Sequence, residues 1–425
     1  MSSKEKSIGI IPNRGEMMLP KLRFPGFEGE WEAIKLNEIS EKVTKKNTSN
    51  SLDLVFSNSA VYGLVLQSEY FDKSIANKNN LQGYYIVKPY DFVYNPRISS
   101  NAEVGTMSVN NTSKTGLVSP LYTVFRISTD KVSCQFLEVL FKSKVWHNHM
   151  YEIANYGARD DRMNIKNEDF YEMVLRIPKK DEQAKITLFL LKIISRIDTQ
   201  KKTIQNLKLS KSAFFRKIIS KKIRFKKSNK EYFSDWKKLK LSEISNEHLD
   251  KNNELKYEEV FSVAKQKGVI NQIEHLGRSF AAKDLGNYKV IYPGDLVYTK
   301  SPTSDFPFGI IKQNKTGRTG VVSPLYCVFT PQNYSLGFII HEYFTSSVKT
   351  YNYLNPLVQK GAKNTMNINN DTFLNGDSIL LPTDLEEQTK IANFLNAFDK
   401  KIQLETEILS KLEEQKRYFL QNLFV

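Results

Sequence analysis

The chain has 425 residues, 40% of them apolar, with 26 Phe and 21 Tyr; that suits two or three folded domains and excludes wholesale disorder. Lys and Arg outnumber Asp and Glu by 62 to 46, a formal charge of +16 with a pI near 9.4, and this excess points to a polyanion, nucleic acid before an anionic membrane. No apolar run approaches the ~18 residues of a bilayer span, the opening MSSKEKSIGIIPNRGE lacks a signal-peptide core, and Cys134 and Cys327 form neither a disulfide framework nor a zinc site, so a cytoplasmic protein with no membrane contact is expected.

In chain order, WEAIKLNEIS (31–40) opens the first folded part. DFVYNP (91–96), LYTVFRIS (121–128) and VLRIPK (174–179) read as strands, being rich in aromatic and β-branched residues. SCQFLEVLFKSKVWHNHMYEIA (133–154) has apolar residues at helical spacing. From Glu182 to Ser220 there is neither Gly nor Pro. Apolar residues fall at Ile186, Leu190, Ile193, Ile197, Ile204, Leu207, Phe214 and Ile218, with polar gaps at Gln200 and Lys211. The alternation of four and three predicts one helix with a heptad seam, ~58 Å long at ~1.5 Å per residue.

The chain then repeats itself. WKKLKLSEIS (236–245) answers the opening segment, and YKVIYPGDLVY (288–298) answers YYIVKPYDFVY (84–94). GVVSPLYCVF (320–329) answers GLVSPLYTVF (116–125), and EQTKIANFL (387–395) answers EQAKITLFL (182–190). The second seam runs through Ile391, Leu395, Phe398, Ile402, Leu409, Leu412, Phe419 and Leu423, with gaps at Glu405 and Lys416. The period is far too long for a solenoid of small units. The expected fold class is α+β: two homologous α+β domains separated by two long coiled-coil helices in a pseudo-two-fold repeat, the helices expected antiparallel although the seam alone does not set their orientation. Residues 182–227 hold 14 bases against two acids, and 384–425 hold eight acids against six bases, so the helices suit one another as partners. The alternative is that each helix packs on its own domain.

Chemistry-bearing motifs are missing. There is no phosphate loop and no dinucleotide fingerprint. YNPR (94–97) lacks the second proline and the aromatic of an adenine-methyltransferase tetrapeptide. Pro89-Tyr90-Asp91 and Pro293-Gly294-Asp295 read as turns rather than half of a nuclease carboxylate pair. His147 and His149, two apart on a helix, cannot share a metal.

Agreement between the copies falls on strands, turns and seam; divergence concentrates in two places. Residues 95–115 stand opposite 299–319, both polar and both flanked by matching scaffold. Residues 158–169 stand opposite 362–372. Candidate DNA contacts are Arg97, Ser99, Asn101, Lys114, Arg159, Arg162 and Lys166 in the first copy. In the second they are Lys300, Ser301, Thr303, Lys312, Arg318, Lys363, Asn364 and Asn367. Arginine can hold guanine and asparagine can hold adenine in bidentate fashion, and lysine meets phosphate. Drift in surface loops would leave the same pattern.

Two variable domains, each followed by a long helix opening on Glu-Gln-x-Lys-Ile, resemble the specificity subunit of type I restriction–modification enzymes. PKLRFPGFEGEWEAIKLNEIS and IRFKKSNKEYFSDWKKLKLSEIS are similar to the family's lead-in segments. The resemblance divides the chain into an N-terminal extension (1–20), target-recognition domain 1 (21–180), a central spacer helix (181–222), target-recognition domain 2 (223–383) and a C-terminal spacer helix (384–425). It implies a non-catalytic subunit that binds a bipartite, asymmetric target on double-stranded DNA. It implies as partners two modification subunits, which methylate adenine N6, and restriction/motor subunits. S-adenosylmethionine, ATP and Mg would then sit on those partners, with no cofactor and no metal on this chain. A stand-alone regulator binding two half-sites, or a fused DNA methyltransferase or nuclease, are the competing readings.

Overall fold

A computed structural model describes residues 19–70, 81–155, 161–360 and 366–425. The chain divides into two units: residues up to 202 with 407–425, and residues 203–406.

The first unit runs β1 (Glu32–Lys35), α1 (Leu36–Ile39), β2 (Ser40–Lys42), β3 (Phe56–Ser59), β4 (Gly63–Leu66), α2 (Gln67–Tyr70), β5 (Tyr85–Val87), β6 (Phe92–Asn95), β7 (Thr106–Val109), β8 (Gly116–Val118), β9 (Thr123–Ile127), α3 (Cys134–Leu140), α4 (His147–Ile153), α5 (Asn167–Tyr171), β10 (Val174–Ile177) and the start of α6 (Lys180–Ile219). Its centre is a four-stranded antiparallel sheet, β2-β9-β6-β7. The three predicted strands fall at β6, β9 and β10. Phe92 pairs with Phe125 in the ladder, and their rings stack at 5.1 Å. Both are fully buried, each worth ~1.5–3 kcal/mol by burial.

The single helix expected over 133–154 is two helices, α3 and α4. Ser133 caps the first by accepting from the Phe136 N–H. The chain turns after Leu140, where the Trp146 indole N–H donates to the carbonyls of Phe141 and Ser143 at 3.1 Å each. Those carbonyls find an indole donor in place of helical amides, and the apolar spacing continues across the break because both helices face one core.

The second unit repeats the plan: β11 (Lys237–Leu239), α7 (Leu241–Ile244), β12 (Ser245–Glu247), β13 (Phe261–Ala264), β14 (Gly268–Asn271), α8 (Gln272–Leu276), β15 (Lys289–Ile291), β16 (Leu296–Tyr298), β17 (Ile311–Gln313), β18 (Gly320–Val322), β19 (Cys327–Pro331), α9 (Tyr334–Tyr343), α10 (Ser347–Leu354), β20 (Gln359–Lys360), β21 (Met366–Asn367), α11 (Asn370–Leu374), β22 (Ile379–Leu381) and the start of α12 (Leu385–Asn422), whose end belongs to the first unit. The sheet β12-β19-β16-β17 mirrors β2-β9-β6-β7, and β11-β22, β13-β14 and β15-β18 mirror β1-β10, β3-β4 and β5-β8. Register is copied too: Tyr94↔Thr123 becomes Tyr298↔Cys327. The first residue of the twice-written decapeptide is glycine for a packing reason. A Cβ on Gly116 would sit 2.5 Å from the Phe56 ring, and one on Gly320 would sit 2.5 Å from the Phe261 ring.

Each unit contains a stretch of both long helices, and in each they run antiparallel. In the first, Phe189 meets Phe419 at 4.8 Å and Lys201 pairs with Glu413 at 3.0 Å. In the second, Phe214 meets Phe394 at 5.4 Å and Lys211 pairs with Asp399 at 2.6 Å. Seam residues Ile186, Leu190, Ile197, Ile204, Ile391, Leu395 and Leu412 are buried. Ile193, Leu207, Phe214, Phe398, Ile402, Leu409 and Phe419 are half-buried.

The Glu-Gln that opens each helix is a structural clasp. Glu182 is 2% exposed and takes the Arg23 guanidinium on both oxygens at 2.8 Å. Glu387, 1% exposed, accepts from the Trp236 indole N–H at 3.0 Å. Gln183 donates to the carbonyls of Lys131 and Pro178 and accepts from the Ser133 N–H. Gln388 donates to the Pro382 carbonyl and accepts from Asn333. Glu182 and both glutamines are paired at each polar end, whereas Glu387 keeps Oε1 buried without a hydrogen-bond partner among the described residues; these contacts fix each helix start to its domain.

Candidate nucleic-acid interface

Both divergent segments of the first copy meet at one end of its sheet. The chain leaves β6 at Asn95, and residues 96–98 pair with 161–163: Met163 N–H donates to Pro96 at 3.0 Å and Ile98 N–H donates to Asp161 at 2.9 Å. Arg97 and Arg162 face one another in this bridge. Arg97 is exposed, and the Arg162 side chain is 34% exposed and 3.7 Å from Asp161. Ser99 and Asn101 lie on an exposed turn closed by reciprocal Ser99–Ala102 hydrogen bonds. Lys114 and Lys166 are exposed as well.

The second copy builds the same frame. Thr303 and Phe306 exchange hydrogen bonds as Ser99 and Ala102 do. Gly105 (φ 87°) and Gly309 (φ 101°) then fold the loop back. A Cβ would come within 2.4 Å of the Asn95 carbonyl oxygen at the first and 2.8 Å of the Lys300 nitrogen at the second. Buried Asn110 and Asn314 each accept from a threonine, Thr112 or Thr316, and donate to the carbonyl of Lys114 or Arg318. The divergent segments therefore hang on a repeated backbone, and what changes is the side chain offered at each position.

The second copy offers less charge to solvent than its sequence suggested. Lys312 is 6% exposed. Desolvation pushes its ammonium down to about 8. It is a core side chain, which corrects its reading as a DNA contact. The sequence places it in a polar stretch, but all three residues of β17 are buried. Lys300 is half-buried, held at φ 55°, and its pKa is lowered by burial. Ser301 is exposed, and Thr303 keeps a buried hydroxyl without a hydrogen-bond partner among the described residues. Arg318 is pinned at 3.0 Å to Glu259 and 3.5 Å to Glu274. Arg159, Lys363 and Asn364 lie outside the described residues, as does the side chain of Asn367.

One lysine at this end escaped the sequence reading, and like Lys312 it is buried, at 8% exposure. Lys289 of β15 donates to the Tyr326 carbonyl at 2.9 Å and lies 3.9 Å from Glu247. Its counterpart is Tyr85, and that switch from aromatic to cation is the signal that could have found it.

Other motifs serve the core. Tyr94 stacks on Phe170 at 5.2 Å and donates to the Val104 carbonyl. Tyr298 stacks on Phe373 at 4.4 Å and donates to the Phe308 carbonyl. A ring already stacked inside the domain is not available to a flipped base. Asp91 and Asp295 close turns on the Lys88 and Tyr292 N–H groups at 2.7 Å each. His149 meets the Asp169 carbonyl while His147 faces Glu103 at 3.9 Å, so the two diverge. Among the described residues no group of three or more His, Cys, Asp or Glu is placed to hold a metal ion. Among them, too, no helix is long and apolar enough to cross a membrane.

No protein-family model and no curated protein matches the sequence. Solved structures resemble the fold over nearly its whole length, two of them as follows. One is a type I restriction–modification system S subunit from M. genitalium: TM-score 0.55 and 13% identity, over 96% of this chain and 99% of that one. Another comes from a structure of complex assembly and conformational transition of the type I restriction–modification system: TM-score 0.52 and 12% identity, over 93% and 97%. The chain thus has the twice-repeated α+β fold, with its paired long helices, of type I S subunits.

Proposed function

We propose that this chain is the DNA-specificity subunit of a type I restriction–modification complex. Each α+β domain reads one part of a bipartite, asymmetric target on double-stranded DNA. The observation that carries this reading is the repeated frame with unlike side chains: two copies keep the same turns and ladder and change what they present at one end of the sheet. A fold shared with S subunits over almost the full chain supports it, as does the +16 charge.

The paired helices would dock two modification subunits, which carry S-adenosylmethionine and methylate adenine N6. Restriction/motor subunits would bring ATP and Mg. The chain itself positions DNA and performs no chemistry. Purification of the tagged full chain from its native cells tests this directly. A methyltransferase subunit should co-purify in stoichiometric amount, and the complex should methylate duplex DNA while the isolated chain does not. Methyl transfer by the homogeneous chain alone, or a DNA-binding chain with no methyltransferase partner, would refute it.

A further inference from the structure

The decapeptide written twice has a centre that packing does not explain. Its strands, β8 into β9 and β18 into β19, are buried at Gly116–Val118, Val124, Phe125, Gly320–Val322, Cys327, Val328 and Phe329. Between them lies Ser-Pro-Leu-Tyr, and there the side chains turn outward. Leu121 is 58% exposed and Leu325 is 76% exposed, and Pro120 and Pro324 are exposed beside them.

The turn is rigid. Tyr122 N–H donates to the Ser119 carbonyl at 3.0 Å, and Tyr326 N–H donates to Ser323 at 3.1 Å. The serine hydroxyls accept from the Leu121 and Leu325 N–H groups at 3.3 Å each. Proline at the second position fixes the backbone. Nothing in such a turn calls for leucine at its third position, where Asn, Asp, Ser or Gly are the usual residues. A single exposed leucine needs no explanation; the same exposed leucine at the same corner of both copies does.

The corner is the candidate interface itself. The ladder ends at Tyr94↔Thr123 and Tyr298↔Cys327, so each turn lies beside the start of a divergent segment, 95–97 or 299–301. Lys289 reaches the Tyr326 carbonyl. The charge offered around the turn differs between copies, with exposed Arg97 and partly exposed Arg162 in one and half-buried Lys300 and buried Lys289 in the other, while the turn does not change.

We propose that Pro120-Leu121 and Pro324-Leu325 are sequence-independent DNA contacts, apolar wedges that press on sugars or base edges and seat each domain for readout. This rests on the DNA-binding reading above. Unlike neighbours favour DNA over a protein partner. A surface gripping the same protein twice would repeat its charges along with its leucine, whereas one reading two different half-sites keeps the common grip and changes the readers. Leucine and proline serve in this way where a groove is entered without base-specific hydrogen bonds.

The test uses the full chain, with its modification subunit where that co-purifies, and a fluorescein-labelled duplex of random sequence across a salt series. The Leu121→Ser/Leu325→Ser variant should bind about tenfold more weakly at every salt concentration, through lost apolar burial. The slope of log affinity against log salt should stay at the wild-type value, because an apolar contact releases no counterions. Leu121→Met/Leu325→Met should recover most of the affinity. Equal binding by the serine variant overturns the wedge and leaves the proposed function standing. So does normal DNA binding with loss of the modification subunit, which would make the turn a protein-docking site. If the wild-type assembly binds no duplex, both readings fall.

Discussion

Lys211 and Lys416 occupy the same gap of the same seam, 205 residues apart, and meet opposite surroundings. Lys211 lies 2.6 Å from Glu342 and 2.6 Å from Asp399. Lys315 completes the cluster, 3.6 Å from Glu342 and 3.2 Å from Asp399, with its ammonium 3.8 Å from the Phe338 ring centre. Lys416 is partly buried, and burial lowers its pKa, with Lys201 and Lys142 adding repulsion against Glu413 and Asp198. The source is the length of the domain helix. α3 stops at Leu140, so Lys142 lies past its end and pairs back with Glu138, while the longer α9 runs to Tyr343 and carries Glu342 on its last turn. Identical seams can thus be anchored by a buried ion cluster in one unit and by apolar packing in the other, and the lysine in the second case is a cost.

Replacing each lysine by methionine should separate these cases. Lys211→Met strands two carboxylates against Lys315 alone, and should lower the opening free energy of α9 and α12 amides by ~3 kcal/mol. Lys416→Met removes a desolvated charge and should be neutral or stabilising by ~1 kcal/mol. Native-state hydrogen exchange reads both. A large loss at Lys416 would break the comparison.

The turn carboxylates sharpen it. Asp91 is fully buried and holds Arg126 bidentately at 2.7 and 2.9 Å. At the matching place Asp295 accepts from Thr330 at 2.7 Å, with His248 3.5 Å away, and burial raises its pKa. Asp91→Asn, which leaves a half-exposed Arg126 unpaired, should cost ~1–2 kcal/mol. Asp295→Asn keeps an acceptor for the Tyr292 N–H and can donate to the Thr330 hydroxyl, so it should cost less, ~0.5–1 kcal/mol at neutral pH. A raised carboxyl pKa means that the folded state holds the Asp295 proton more tightly than the unfolded chain does. Its contribution is therefore favourable in acid and is lost as pH rises from the ordinary range, about 4, through the raised value. Asp295→Asn should remove that decline from urea-melt stability measured against pH. An unchanged pH profile would show that other groups cause it.

How much of this the sequence carried depends on what each feature rests on. The helices were legible because their apolar spacing persists through 40-residue α6 and 38-residue α12, and the duplication was legible because ladder partners were copied together. The break between α3 and α4 was hidden, because Trp146 is apolar and fits the helical spacing while its N–H ends the helix. Lys312 was misplaced because burial in β17 depends on α9 above it, which no local pattern records. The meeting of Arg97 with Arg162 was equally hidden, since residues 65 apart in sequence are brought together only by the fold.

The smallest expected effect is at the helix pair of the first unit. Lys201 and Glu413 lie 3.0 Å apart but are 54% and 39% exposed. Lys201→Ala should change stability by no more than ~0.5 kcal/mol, less at high salt. A loss comparable to that of Lys211→Met would erase the distinction between buried and exposed anchoring.

The central claim is that two copies of one frame read different DNA. Methylome sequencing tests it most directly, in cells lacking the gene and complemented with wild type, Arg97→Ala/Arg162→Ala, or Lys300→Ala. Wild type should restore adenine methylation at one two-part asymmetric target. The arginine variant should relax one part by ~1–3 kcal/mol of discrimination at a contacted base, and the lysine variant should affect only the other part. Methylation that does not depend on the gene, or a variant in one copy that alters both parts alike, would contradict the account.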